Sequence, residues 1–330
     1  MTTAAADAQK RTFIEHLARQ MTIPKFIFAI AMFLFWAMII FPFFWMVSSS
    51  FKTGAEIAAR QPVFIPSELR TEAYRELVEP SASYVEYAWN HVWYRILGGY
   101  AVQFDSGQER FQDFGINIIN SFVVAVPTAL IAVILSMMGA YAIARLNFKG
   151  KDFMLNSVLM IYLFPGILLI IPLFAMLSQI SQWLGFEVQD NLAILIFTYL
   201  AQTLPVALYM LANYFRTIPD EIEQAAMIDG CTRVQVIWKI TMPLAVPALV
   251  SVAVYTFMIA WNEFLYALVF LNDRALFTMP IKINAIFNDP SPRMAVVMAA
   301  STIMSLPVML LFLALERYLA EGLSAGGVKG

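Results

Sequence analysis

Six long apolar stretches determine what this chain can fold into. They cover residues 26–47, 117–144, 154–177, 192–215, 244–270 and 295–315. Each is long enough to cross a hydrocarbon core of about 30 Å as an α-helix, which needs roughly 20 residues. A helix is expected for each stretch, because backbone N–H and C=O groups in lipid have to be paired within the segment. The sequence therefore predicts an all-α integral membrane protein with six transmembrane helices.

The composition agrees with a membrane protein and excludes several other classes. Hydrophobic residues make up 60% and charged residues 13% of the 330 residues, whereas soluble domains carry about 25% charged residues. The net charge of −2 gives no indication of nucleic-acid binding. The single cysteine, Cys231, excludes an intrachain disulfide and is typical of a small packing residue.

Lys and Arg residues are concentrated in the segments on one side of the predicted spans. These segments include both termini and contain Lys10, Arg11, Arg19, Lys25, Arg145, Lys149, Lys151, Arg216, Arg233, Lys239, Arg317 and Lys329. The loop at 178–191, on the other side, contains neither residue type, and Arg274, Lys282 and Arg293 are sparse exceptions there. The positive-inside rule therefore predicts that both termini are cytoplasmic.

The segments outside the main apolar core form four further regions. Residues 1–25 are expected to be a cytoplasmic arm, which is either an interfacial helix or a loose tail. Residues 26–47 are the first transmembrane helix, and residues 48–116 are an external loop or small helical cap. The aromatic residues of that loop suit either a binding surface or an interfacial aromatic belt. The core covers 117–315, and a cytoplasmic tail follows at 316–330.

A polar, helix-prone segment at 218–230 separates the fourth and fifth apolar stretches. Thr217 is expected to cap its first turn, with Asp220 three residues later. Acidic residues at the N-terminal end complement the helix dipole, and Gly230 is a typical stop signal. Two adjacent alanines, Ala225 and Ala226, would let another surface approach closely. The segment is either a helix that docks in a partner's groove or an ordinary amphipathic loop helix.

Glu263 is the ionisable residue that stands out within a predicted span. Such a residue is costly in a membrane and indicates a functional site. Trp261, Asn262 and Tyr266 accompany it, and Asn120 opens the second span. Aromatic faces and hydrogen-bonding groups suit a sugar pathway, but Glu263 is equally suited to tying two helices together or gating. Interhelical hydrogen bonding is expected of the weaker candidates Tyr199, Gln202, Asn213 and Tyr255.

The sequence contains no recognisable catalytic centre. It has no G-x-x-x-x-G-K-[ST] motif, and so no phosphate-binding loop of that kind. No spacing of His, Cys, Asp and Glu indicates a metal site, and no nucleophile–base pair stands out. We therefore expect no catalytic residues, no metal site and no cofactor in this chain.

Several motifs together resemble a known transporter family. Glu223-Gln224-Ala225-Ala226-Met227-Ile228-Asp229-Gly230, followed by Pro243, is similar to the EAA loop of ABC importer permeases, with Gln224 where that motif usually has Glu. The other matching segments are Asn120-Ser121, Ala140-Tyr141-Ala142-Ile143-Ala144-Arg145, Trp261-Asn262-Glu263-Phe264, Arg317-Tyr318-Leu319 and the Gly-rich end from Gly322 to Gly330. They resemble permease subunits of maltose-type carbohydrate ABC importers over about residues 117–330.

The resemblance implies a type I ABC importer permease fold in a bacterial inner membrane, with a cytoplasmic coupling helix. It also implies as partners a second permease, two ATPase subunits that bind ATP and Mg, a periplasmic solute-binding protein and a di- or oligosaccharide. The implied coupling residues are Glu223, Gln224, Ala225, Ala226, Asp229 and Gly230. The implied ATPase-contacting tail residues are Gly326, Gly327 and Val328, which would supply a flexible backbone.

Three other functions compete with a sugar permease. An ABC importer for a non-sugar solute has the same EAA pattern. An ion-coupled secondary transporter would want several carboxylates or broken helices at mid-membrane, and only Glu263 qualifies, without an evident partner. A membrane enzyme would need a polar catalytic cluster at the interface, which the sequence does not contain.

Overall fold

A computed structural model describes residues 25–78, 114–290 and 293–327. Within these ranges the regular structure is helical, without strands. The α-helices are α1 (Lys25–Ser50), α2 (Gly54–Ile57), α3 (Glu72–Val78), α4 (Phe114–Arg145), α5 (Lys151–Leu163), α6 (Ile170–Leu184), α7 (Leu192–Phe215), α8 (Asp220–Ile228), α9 (Arg233–Val236), α10 (Met242–Leu244), α11 (Val246–Asn262), α12 (Leu265–Phe270), α13 (Met279–Phe287) and α14 (Met294–Gly327). The prediction of an all-α membrane protein is confirmed.

The membrane core consists of long helices packed around α4. Five helical segments in the described ranges are long and apolar enough to cross a membrane, or six if one bent pair is counted as a single span. Helix α4 packs against α7 and α11, and α14 packs against α11. The buried centre includes Tyr199, Phe257, Trp261 and Phe270. Large aromatic side chains at this depth hold the helices together by packing, since lipid supplies no hydrophobic drive between helices.

The third apolar stretch, predicted as one span, is broken. Helix α5 ends at Leu163, and a 3₁₀ turn at Gly166–Leu169 leads into α6. Phe164 has an extended backbone, with φ −75° and ψ 130°, because the ring of Pro165 disfavours a helical conformation in the preceding residue. The prediction of one continuous helix over 154–177 was wrong, because the helix stops before Pro165.

The fifth apolar stretch is also broken, at both of its ends. The segment Arg233–Leu244 meets α11 at an angle of 75°, and Pro247 lies in the first turn of α11. At the other end α11 stops at Asn262, and Glu263 has an extended backbone before α12 begins. The predicted single span 244–270 therefore consists of a central helix and a short final helix, and an entry segment bent by 75° leads into it.

The helix predicted at 218–230 is present but shorter, at Asp220–Ile228. Pro219 occupies the N-cap position and provides no side-chain cap. The Thr217 hydroxyl donates to the Tyr214 carbonyl at 2.7 Å, so the prediction that Thr217 caps this helix was wrong. The turn that ends α7 uses this hydroxyl, which leaves the first N–H groups of α8 without a side-chain cap.

The chain ends differ in part from expectation. Helix α14 continues through Gly326 and Gly327, where the sequence predicts a flexible tail. The stretch between the last span and these glycines contains no proline, so helical hydrogen bonding continues. The predicted interfacial helix of the N-terminal arm, the aromatic part of the first loop and Val328 lie outside the described residues.

Candidate functional site

Helix α8 ends in a well-formed glycine stop. Gly230 has φ +89°, in the left-handed region, which glycine adopts without steric cost. The Cys231 N–H donates to the Ala226 carbonyl at 3.0 Å, and the Gly230 N–H donates to the Met227 carbonyl at 3.1 Å. This pair of bonds is the Schellman motif that satisfies the last carbonyls of a helix. The predicted role of Gly230 as the helix stop is confirmed.

The inner side of α8 contacts the neighbouring helices through the carboxylate of Glu223. Glu223 is 7% exposed. Its Oε1 accepts from Arg145 Nε at 3.0 Å and from the Thr241 hydroxyl at 2.9 Å, and its Oε2 accepts from the Tyr141 hydroxyl at 3.1 Å. Both oxygens are therefore engaged within this chain. Glu223, which the sequence groups with the coupling residues, is turned towards the inside of this chain.

Arg145, the last residue of α4, is the centre of this cluster. Its side chain is 7% exposed. Besides its bond to Glu223, it donates through Nη2 to the Ile218 carbonyl at 2.7 Å and through Nη1 to Asp220. The guanidinium meets two carboxylates and a carbonyl through all three of its nitrogens, and its bonds to the carboxylates are strong because both groups are charged. We call Tyr141, Arg145, Asp220, Glu223 and Thr241 the Arg145 junction.

The other side of α8 is open to solvent and largely apolar. Its exposed apolar side chains include Ile222 and Met227, each 40% exposed, and Ile228, which is 86% exposed. Ala225, Gln224 and Asp229 are also exposed, whereas Ala226 is buried beside Glu223. We call Ile222, Gln224, Ala225, Met227, Ile228 and Asp229 the α8 outer face. An exposed apolar patch on a helix is typical of a protein-binding surface.

Glu263 caps a helix at the break after α11. Its Oε1 accepts from the Tyr266 N–H at 2.9 Å, and its Oε2 accepts from the Ala267 N–H at 3.1 Å. These are N–H groups of the first turn of α12, which have no partner within the helix. Oε2 also accepts from the Tyr199 hydroxyl of α7 at 2.7 Å. Of the roles left open for Glu263, these contacts correspond to tying helices together.

Tyr266 joins the two broken spans. Its hydroxyl donates to the Gly166 carbonyl at 3.0 Å, in the 3₁₀ turn after Pro165. Its side chain is 6% exposed. The breaks in the third and fifth apolar stretches are therefore in direct contact.

Trp261 and Asn120 make internal contacts. The Trp261 ring is stacked on Phe257, with centroids 5.4 Å apart, and its Nε1–H donates to the Met304 carbonyl at 3.1 Å. Asn120 is fully buried, and its amide donates to the carbonyls of Ala275 and Phe277. Both residues are occupied by contacts that hold the helices and the turn before α13 in place.

Asn262 is the exposed member of the predicted pathway residues. Its amide donates to the Met258 carbonyl at 2.8 Å, one turn earlier in α11. The structure brings Glu263 and Tyr266 into one cluster with Tyr199, and it places Asn120 in a separate cluster at residues 274–277. The predicted group therefore divides into the Glu263 and Tyr266 cluster, the buried Asn120, the buried Trp261 with its own partners and the exposed Asn262.

Sequence reasoning missed the part played by Arg145, Tyr141 and Thr241. Arg145 counted only as a positive charge near a membrane face and, with Tyr141, as part of a motif. Arg145 lies 78 residues before Glu223 and 75 before Asp220, so no local spacing indicates the pairing. Within the described ranges, no group of His, Cys, Asp and Glu could hold a metal ion.

Comparisons with known proteins agree with this architecture. Residues 96–325 match the family model described as "Binding-protein-dependent transport system inner membrane component". The inner membrane ABC transporter permease protein YcjP of Escherichia coli is 39% identical over 90% of this chain and 94% of its own length. The trehalose/maltose transport system permease protein MalG of Thermococcus litoralis is 33% identical over 88% of this chain and 92% of its own length.

A solved structure is similar in fold. It belongs to a bacterial ABC transporter involved in the import of the acidic polysaccharide alginate. That chain superposes with a TM-score of 0.62 at 19% identity, covering 91% of this chain and 98% of its own. The family match covers more than half of the chain and includes its helical membrane core. This chain belongs to the family of inner membrane components of binding-protein-dependent transport systems.

Proposed function

We propose that this chain is the transmembrane permease subunit of an ATP-driven importer for a carbohydrate of the di- or oligosaccharide class. As a member of its family, it is a multi-pass membrane transport component rather than an enzyme. The relative from Thermococcus litoralis is named for trehalose and maltose transport, and one from Agrobacterium fabrum, 30% identical, for sulfoquinovosyl glycerol transport. These names support a sugar as the cargo over a non-sugar solute.

The observation that carries the proposal is the α8 outer face. It combines exposed apolar side chains with a helix held firmly from its other side by the Arg145 junction. A helix of this kind suits a groove on an ATPase subunit, where the small Ala225 would allow close approach. ATP and Mg would bind to the ATPase subunits, and this chain would carry no cofactor.

The exposed apolar surface of α1 supports a second permease subunit as a partner in the membrane. The apolar window of α1 is 0% buried within this chain, and α1 packs against α14, so most of its surface is available to lipid or to another subunit. A solute-binding protein would deliver the sugar on the outer side. With both termini in the cytoplasm, as the Lys and Arg distribution predicts, α8 and the Arg145 junction face the ATPase subunits.

Most of the residues predicted to line the sugar pathway have partners within the chain. Trp261, Glu263 and Tyr266 are engaged in contacts within the chain, so we propose that they shape the pathway rather than contact the sugar. Asn262, with its exposed side chain, is the one of the five residues that is placed to meet a solute.

Purification of the tagged chain in a mild detergent tests the assembly. We expect a second permease and an ATPase to co-purify in stoichiometric amounts, identified by mass spectrometry. Reconstituted with its solute-binding protein, the complex should take up radiolabelled maltose or trehalose with ATP inside the vesicles. A chain that purifies only with itself, or uptake that follows an ion gradient without ATP, would contradict the proposal. Uptake of an amino acid instead of either sugar would favour the non-sugar importer.

A further inference from the structure

Three segments of the chain meet at the Arg145 junction, and one of them, the end of α4, is far from the other two in sequence. Tyr141 and Arg145 belong to the end of α4, Asp220 and Glu223 to α8, and Thr241 to the turn that leads into α11. The Glu223 carboxylate accepts hydrogen bonds from Tyr141 and Arg145 of the first segment and from Thr241 of the last. Helix α8 is thereby bound to the second span, which is distant in sequence, and to the segment that leads into the fifth span, which follows it in the chain.

Apolar packing contributes little to holding α8 in place. Of its nine residues, only Glu223 and Ala226 are buried, and an alanine side chain buries little area. The side chains of Arg145 and Glu223 are 7% and 9% exposed. A buried ion pair is strongly destabilised when one partner is removed, because the other charge is left without compensation. The orientation of α8 therefore depends on the junction.

We propose that Arg145 is a positioning residue that makes α8 move as one body with α4 and with the entry segment of α11. This inference rests on the proposed function, in which an ATPase subunit binds the α8 outer face. A displacement of α8 then passes through Arg145 to the second and fifth spans. Without the guanidinium, α8 follows the ATPase while the spans do not.

The rigidity of the junction is measured by the distance between two spin labels in the purified complex. One label replaces Glu221, which is exposed on α8, and the other replaces Met138, which is 62% exposed on α4. Cys231, the single cysteine, is first changed to Ser. We expect a narrow distance distribution in the resting complex and after trapping with ATP and vanadate. In Arg145→Gln we expect the distribution to be at least twice as broad.

A second measurement, in complexes without spin labels, tests whether the displacement of α8 reaches the other end of α11. The rate at which a maleimide labels Asn262→Cys, in a separate unlabelled background without Cys231, should change at least tenfold on ATP trapping. In Arg145→Gln we expect a change below twofold, while the ATPase remains bound and hydrolyses ATP within about threefold of the parent rate. Lys149→Gln, which removes an exposed positive charge shortly after α4, is the control and should behave as the parent.

The outcomes separate this inference from the proposed function. An unchanged distance width in Arg145→Gln, or a retained labelling response, overturns the positioning role. If Arg145→Gln does not accumulate, Thr241→Val removes a single bond to Glu223 and should broaden the distribution by a smaller amount, and an unchanged width there overturns the role as well. Failure of the parent chain to bind any ATPase contradicts the proposed function, while the resting width still decides the rigidity of the junction.

Discussion

At the scale of single residues, two carboxylates have internal partners on more than one helix. Glu223 binds donors from α4 and from the turn before α10, and Glu263 binds donors from α7 and α12. A charged group in or near a membrane is tolerated when it is paired in this way. Each residue therefore acts mainly by fixing the positions of the helices around it.

Replacing Glu263 tests this role. In Glu263→Gln, an NH₂ group takes the place of one acceptor oxygen, and it faces an N–H group of α12 or the Tyr199 hydroxyl. We expect a loss of about 1–3 kcal/mol in the free energy of unfolding, because a buried donor is left without an acceptor. Unfolding by SDS titration in mixed micelles measures it. Glu187→Gln, at an exposed carboxylate, should change stability by less than about 0.5 kcal/mol.

Glu56 predicts a pH dependence in the loop after α1. The Ser67 hydroxyl and N–H and the Thr53 N–H donate to its carboxylate and lower its pKa to about 2. Because the folded pKa is below the ordinary value of 4.5, the stabilisation is complete above pH 4.5 and is lost as the pH falls towards 2. Hydrogen exchange of the 53–67 segment, corrected for intrinsic rates, should therefore accelerate over that window. Glu56→Gln should already exchange fast at pH 7, and a parent-like rate in this variant would contradict the assignment.

At the scale of elements, proline and glycine set the ends of helices that the apolar pattern alone would continue. Pro165 ends α5 through the extended backbone of Phe164, and Gly230 ends α8 in the left-handed region. Proline acts by restricting the backbone of the residue before it, and glycine acts by adopting a left-handed backbone without steric cost. The breaks are then held by bonds from other helices, such as the one from Tyr266 to Gly166.

Gly230→Ala tests the end of α8. A Cβ at φ +89° is strained even though no atom lies within 4 Å of it, and the cost is about 1–2 kcal/mol. We expect faster hydrogen exchange of the Gly230 and Cys231 amides and weaker retention of the ATPase in the purified complex. Gly54→Ala is the matched control, since it also has open space and no positive φ. Equal exchange in the two variants would contradict the role of the glycine stop.

At the scale of the whole molecule, the helices differ in how much this chain itself buries them. The apolar window of α1 is 0% buried, whereas those of α4 and α7 are each 39% buried. A membrane helix can expose apolar side chains to lipid without cost, so stability comes from packing within the bundle. The exposed side of α1 belongs to lipid or to a neighbouring subunit.

Two matched phenylalanines test this division. Phe257 is 4% exposed and stacks on Trp261, whereas Phe33 on α1 is 72% exposed. We expect Phe257→Ala to lower the free energy of unfolding by about 3 kcal/mol, because it leaves a cavity. Phe33→Ala should leave the unfolding of the chain nearly unchanged and reduce retention of the second permease. Equal destabilisation by both changes, measured by SDS titration, would contradict the peripheral position of α1.

The class of the molecule and the place of its polar helix could be predicted from the amino-acid sequence alone. The apolar stretches, the acidic start of α8 and Gly230 are signals that operate within a few turns of one chain segment. Bilayer thickness and the need to pair backbone groups convert such local signals directly into helices. The EAA-like segment, together with the other matching motifs, was sufficient to indicate the permease family.

The breaks between α5 and α6 and between α11 and α12 could not be predicted without the fold, and neither could the partners of Arg145, Glu223 and Glu263. Pro165 was visible in the sequence, but whether a proline kinks or breaks a span depends on which groups stabilise the freed backbone. Arg145 meets Glu223 across 78 residues, and Tyr199 meets Glu263 across 64. Such pairings depend on how whole helices pack, because hydrogen bonds form only between groups that the fold brings within about 3 Å.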